Sequence, residues 1–179
     1  MKKSRQLIGT GIVDCESGMI IGNIKNTVFF PCSKKILGFC VDCGRWVKHE
    51  KIIQVKYIKN IGNDMVMVKH DNILEDIKNY PEFINAIDKK NRIFGLKVIT
   101  SRGQELGYIE DIIINQNNFY IEGYVLTDGI IEDITKGKSV LSFSEKIIFG
   151  EDTIILDEEN SDIILKNDMS LKKVFRRGE

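Results

Sequence analysis

The chain has 179 residues, and its 26 Lys and Arg balance 26 Asp and Glu, so it is sized for one ordinary domain or two small ones with no net charge. Hydrophobic residues at 42% and charged residues at 29% exclude a disordered or fibrous chain. No run of about 18 apolar residues is present to span a bilayer, and Met1-Lys2-Lys3-Ser4-Arg5 leads into no signal-type segment, so the expectation is a cytoplasmic protein without membrane insertion. Within the apolar set, 30 Ile and 11 Val stand against a single Ala, Ala86, a composition that favours strands over helices.

In chain order, Gly11 to Cys15 and Met19 to Phe30 read as strands across a tight turn at Glu16-Ser17-Gly18. Gly22 interrupts the second strand and marks a bulge or bend, and Pro31 ends it. Lys35 to Cys43 supplies a third strand, with shorter ones at Arg45 to Lys48 and Lys51 to Val55. Asp64 to Lys69 closes the set, and its Met65-Val66-Met67-Val68 run predicts cover on both faces. From Asn72 to Ala86, Ile73, Ile77, Tyr80 and Ile84 form a helical stripe interrupted at Pro81, read as a linker helix or two turns.

The chain then repeats itself. A shift of 85 superposes Gly18, Gly22, Ile24, Gly38 and Gly44 on Gly103, Gly107, Ile109, Gly123 and Gly129. Upstream the shift is 86, pairing Gly9 with Gly95, and downstream it is 88, pairing Ile52 with Val140, Gly62 with Gly150 and Val66 with Ile154. Glycines carry most of the identity, and glycine is demanded by backbone geometry, so the two copies share a fold. Beyond them, Ile163 and Leu165, then Leu171, Val174 and Phe175, have the spacing of a terminal helix beside Lys172, Lys173, Arg176 and Arg177.

These residues resemble the PRC-barrel family, named after the cytoplasmic part of the photosynthetic reaction centre H subunit. The likeness rests on Leu7-Ile8-Gly9, Ser17-Gly18, Ile21-Gly22-Asn23-Ile24, Gly38-Phe39-Cys40-Val41-Asp42 and Ile61-Gly62-Asn63-Asp64. The second copy shows Ile93-Phe94-Gly95, Arg102-Gly103, Leu106-Gly107-Tyr108-Ile109, Gly123-Tyr124-Val125-Leu126 and Phe149-Gly150-Glu151-Asp152. The expected fold is all-β: two small PRC-type β-barrels in tandem, over 5–70 and 92–158. A partly helical linker occupies 71–91, and a tail with helical spacing occupies 159–179. The resemblance implies an adaptor, as in the reaction centre, in a ribosome maturation factor that binds a small-subunit protein, and in many short bacterial proteins.

No catalytic constellation is legible. His49 and His70 pair with no nucleophile motif, no Gly-rich phosphate loop occurs, and the expectation is a protein that is not an enzyme and holds no cofactor. Cys40-Val41-Asp42-Cys43 is a CxxC without a second pair. Cys32, Cys40 and Cys43, with His49, are therefore weak metal candidates beside the plainer reading of free thiols acting as small hydrophobes. Residues 1–92 carry a net charge of +6 and residues 93–179 a net of −6. The basic half gathers Lys34, Lys35, Arg45, Lys48 and Tyr57 near Trp46, an amphipathic aromatic able to anchor a partner. These six residues are the candidate partner-binding set. The function read from this is a binding or scaffolding module for a protein partner; the alternative is contact with RNA or a ribosomal particle through the basic first barrel.

Overall fold

A computed structural model describes residues 1–44, 50–70, 72–127, 139–144, 146–157 and 164–166. The chain divides into two units, Met1–Asn91 with Ile114–Ile121, and Arg92–Ile113 with Glu122–Glu179. The first holds strands β1 (Lys2–Lys3), β2 (Gly11–Asp14), β3 (Ile20–Phe29), β4 (Ile36–Asp42), β5 (Lys51–Gln54), β6 (Ile58–Ile61), β7 (Met65–Val68) and β8 (Glu75–Asp76), of which β2 to β8 form one sheet. A helix, α1 (Pro81–Ile93), follows. The sheet order is β6-β7-β2-β3-β4-β5-β8, antiparallel except where β2 meets β7.

The second unit repeats that order. Strands β9 (Lys97–Thr100), β10 (Glu105–Ile114), β11 (Ile121–Thr127), β12 (Ser139–Ser142), β13 (Ile148–Phe149), β14 (Thr153–Leu156) and β15 (Ile164–Lys166) run β13-β14-β9-β10-β11-β12-β15. A parallel pairing, β14 with β9, falls in the same place. The fold is all-β, two small barrels in tandem.

The hydrogen bonds show why the glycine pattern repeats. Gly9 donates to the Ile24 carbonyl at 2.8 Å and Gly95 to the Ile109 carbonyl at 2.8 Å. Gly62 donates to Met65 at 2.9 Å and Gly150 to Thr153 at 3.0 Å. At Gly38 a β-carbon would lie 2.0 Å from the Ile53 carbonyl oxygen, and at Gly123 one would lie 2.5 Å from that of Leu141. Each barrel brings two strands too close for any side chain at this point. The bulge expected at Gly22 is present, with the β2–β3 register slipping between Ile12 and Val13.

Alternation sets two layers on the first sheet. One face carries Ile12, Ile24, Phe29, Phe39, Val41 and Ile53 into the barrel core. On the other, Val28, Cys40 and Ile52 are sealed by Phe83 and Ala86 of α1, with Ile87 packed beside them. Burying a side chain of Phe83's size contributes about 1.5–3 kcal/mol.

Two expectations are corrected in detail. The linker holds a turn followed by a helix, and Pro81 opens that helix instead of interrupting one. Proline suits the first helical position, where its fixed φ fits and the missing N–H has no partner to lose. Residues Ile77–Asn79 form a 3-10 turn instead, and Ile84 is 44% exposed rather than part of the packing stripe. Tyr80 ties this junction down: its hydroxyl donates to Glu75 Oε1, while Gln54 Nε2 donates to Glu75 Oε2 at 2.6 Å. That bond to Glu75 pushes the Tyr80 phenol above its ordinary range. In the tail, Ile164–Lys166 is a strand paired with β12, because its backbone completes the sheet edge there. Leu171, Val174 and Phe175 lie outside the described residues.

Candidate partner-binding face

The outward face of the first barrel has a covered half and an open half. Over β3, β4 and β5 it is closed by α1. Over β7, β2 and the start of β3, Met67, Val13 and Ile20 stand in one row, since Val13 pairs with Met67 on one side and Ile20 on the other. In the next row Met65 pairs with Gly11. A β-carbon on Gly11 would fall 2.8 Å from Met65 Sδ, so the methionine side chain lies across the bare backbone of the neighbouring strand. Ile20 is 62% exposed, Met19 60% and Met65 40%.

This corrects the expectation of cover on both faces of β7: Val66 and Val68 are buried, whereas Met65 is open. Unbranched, polarisable methionines beside Ile20 make an adaptable apolar surface of the kind used against protein partners. Composition alone hid it, because an apolar strand reads the same whether its second face is covered or open.

The hairpin bordering this face is held by Asp14. Its carboxylate accepts from the Ser17 hydroxyl at 2.5 Å, the Glu16 N–H at 2.9 Å and the Ser17 N–H at 3.2 Å. The Ser17 hydroxyl, then the Glu16 N–H, hold the carboxyl below the usual carboxylate range. Asp14 is thus a turn anchor.

Of the residues singled out from sequence, Trp46, Arg45 and Lys48, with His49, lie outside the described residues. Lys34 and Lys35 are exposed, and their ammonium groups sit 5.5 and 5.6 Å from the centre of the Tyr120 ring. Ile36 donates to the Phe119 carbonyl and Ile121 to that of Lys34 in the same unit. Tyr57 is half-buried, with Lys56 Nζ 4.8 Å from its ring centre and the His70 ring edge-on at 6.2 Å. Lys34 and Lys35 therefore share one ring, that of Tyr120, while Lys56 lies over another, that of Tyr57.

The cysteines separate as well. Cys40 is buried beneath α1 as a small hydrophobe, Cys32 is exposed, and Cys43 is half-buried with its thiol pushed up by desolvation. Among the described residues no three His, Cys, Asp or Glu side chains come together in a metal-binding group. Nor, among these residues, is any helix long and apolar enough to cross a membrane.

The model of the PRC-barrel domain matches this sequence twice, over residues 1–74 and residues 88–163. No curated protein matches it.

Proposed function

This chain belongs to the PRC-barrel domain family, and from that premise we propose that it is a non-catalytic, cytoplasmic scaffolding protein that recognises a protein partner through its first barrel. The observation that carries the reading is the exposed group of Ile20, Met19 and Met65, continued along the sheet by the half-buried Val13 and Met67. The second barrel supports the assignment by contrast, since the positions matching Gly11 and Ile20 hold Lys97 and Glu105, joined at 2.8 Å. A charged pair satisfied by its own neighbour offers a partner little apolar area.

The test is capture by immobilised full-length protein in four arms: wild type, Ile20→Glu, Trp46→Ala, and wild type after nuclease treatment. One protein that survives nuclease and is lost with Ile20→Glu supports the reading. A second reading, contact with RNA, is favoured by the exposed lysines set against Tyr120 and Tyr57, since cation and ring together suit a nucleic-acid strand. Capture that disappears with nuclease and falls steeply with salt would replace the first reading by the second.

A further inference from the structure

Sulfur is divided unevenly between the two barrels. Of the 5 Met in the chain, Met19, Met65 and Met67 lie in the first barrel, and the repeat places Gln104, Thr153 and Ile155 at the matching positions of the second. The same framework is thus built with no methionine between Met67 and Met169. Packing does not call for the sulfur either, because Met19 and Met65 are exposed and Met67 is half-buried, while the core beneath them is made of Ile, Val and Phe. What methionine brings that leucine would not is a thioether open to oxidation.

The backbone holds one of these sulfurs in an open seat. Met65 and Met67 alternate with the buried Val66 and Val68, which sets both on the outward side of β7. Gly11 pairs with Met65 and has no side chain; a β-carbon there would lie 2.8 Å from Met65 Sδ and 3.5 Å from its Cε. Met65 therefore rests on bare backbone and still keeps 40% of its surface exposed. Met19 is fixed through its main chain, with its N–H donating to Ser17 Oγ at 3.3 Å and its carbonyl accepting from the Asp14 N–H at 3.0 Å, and its side chain is open.

We propose that these methionines are an oxidation site that switches the open face off, peroxide converting Met65 and Met19 to sulfoxides and the surface from apolar to polar. The sulfur lone pair attacks one peroxide oxygen, an S–O bond forms as the O–O bond breaks, and sulfur gives up two electrons while the other oxygen leaves as water. A sulfoxide is a strong acceptor, and a partner that covers it without offering a donor strips its water with no return. Reduction restores the thioether, so the change is reversible. The inference rests on the reading that this face binds a protein, and it adds how that binding is regulated.

The experiment exposes full-length wild type, and a variant with Met19→Leu, Met65→Leu and Met67→Leu together, to dilute hydrogen peroxide. Dithiothreitol then returns thiols such as the exposed Cys32 to their reduced form and leaves sulfoxides in place. Peptide mass spectrometry should find one added oxygen on Met19 and Met65 ahead of Met67. On a phenyl column, the probe of exposed apolar surface, oxidised wild type should elute earlier, in the direction of Ile20→Glu, and the leucine variant should not move. Capture of the protein partner should fall roughly tenfold or more after oxidation and return after treatment with sulfoxide reductases. An unchanged column position, or an equal shift in the leucine variant, would overturn the proposal. Capture that survives oxidation but is lost in Ile20→Glu would overturn the switch alone, whereas capture that survives both would overturn the binding face and the switch with it.

Discussion

The first and second barrels share a strand order, a parallel seam and a set of glycine hydrogen bonds, yet they diverge wherever a side chain leaves the framework. Asp14 anchors the first hairpin through its carboxylate; its counterpart Thr100 ties the second through a hydroxyl that accepts from the Gln104 N–H at 3.1 Å. Thr27 is buried in the first barrel with no hydrogen-bond partner for its Oγ1, and the matching Ile112 is purely apolar. Gly11 and Ile20 leave an open apolar surface, where Lys97 and Glu105 close on each other and Lys97 also sits 5.6 Å over the ring of Tyr108. Backbone geometry is what the duplication preserves, and outward chemistry is what it frees.

The sharpest way to break the shared part is at its closest strand contact. Gly38→Ala drives a β-carbon into the Ile53 carbonyl, and we expect a loss of about 3 kcal/mol or more in urea unfolding, at the upper end of overpacking effects. Gly123→Ala, with more room, should cost less, and equal costs would show that the difference in clearance between the two barrels does not set the penalty. Next in size, Thr27→Val should stabilise the first barrel by about 1 kcal/mol, because it removes a buried hydroxyl without a partner. A destabilised variant would mean that this hydroxyl is satisfied after all.

Acid should separate the hairpins. The Asp14 carboxyl is depressed in the folded protein, so its contribution is present above the ordinary carboxylate pKa of about 3.9 and is lost as pH falls below it. Amide exchange at Ser17 and Gly18 should accelerate below that point, while Gln104 and Gly103 show no matching step, and Asp14→Asn should abolish the step. The smallest effect is expected at the surface pair Lys25–Glu50, 2.8 Å apart: Lys25→Ala should change stability by no more than about 1 kcal/mol.

Glycine spacing made the fold legible, because positive φ at Gly18 and Gly103, and zero clearance at Gly38 and Gly123, leave no other residue available. The candidate face was less legible. Met65 and Met67 are apolar like the buried Val66 and Val68 between and beyond them, and nothing local distinguishes a sheet face under a helix from one left open. The signal was there in the repeat itself, in Ile20 against Glu105 and Gly11 against Lys97. Pro81 was legible as a boundary but not as to side, since proline serves both to end a helix and to begin one.

The central claim is that recognition belongs to the open face of the first barrel and not to the second. The most direct measurement is the affinity of the captured partner for two full-length variants in parallel, Ile20→Glu, which gives the first barrel the residue its twin carries, and Ile148→Glu, at a position 61% exposed on the second. Binding should weaken roughly tenfold or more in Ile20→Glu, the cost of losing an interface anchor, and stay unchanged in Ile148→Glu. Unchanged binding with Ile20→Glu, or a loss confined to Ile148→Glu, would contradict the account.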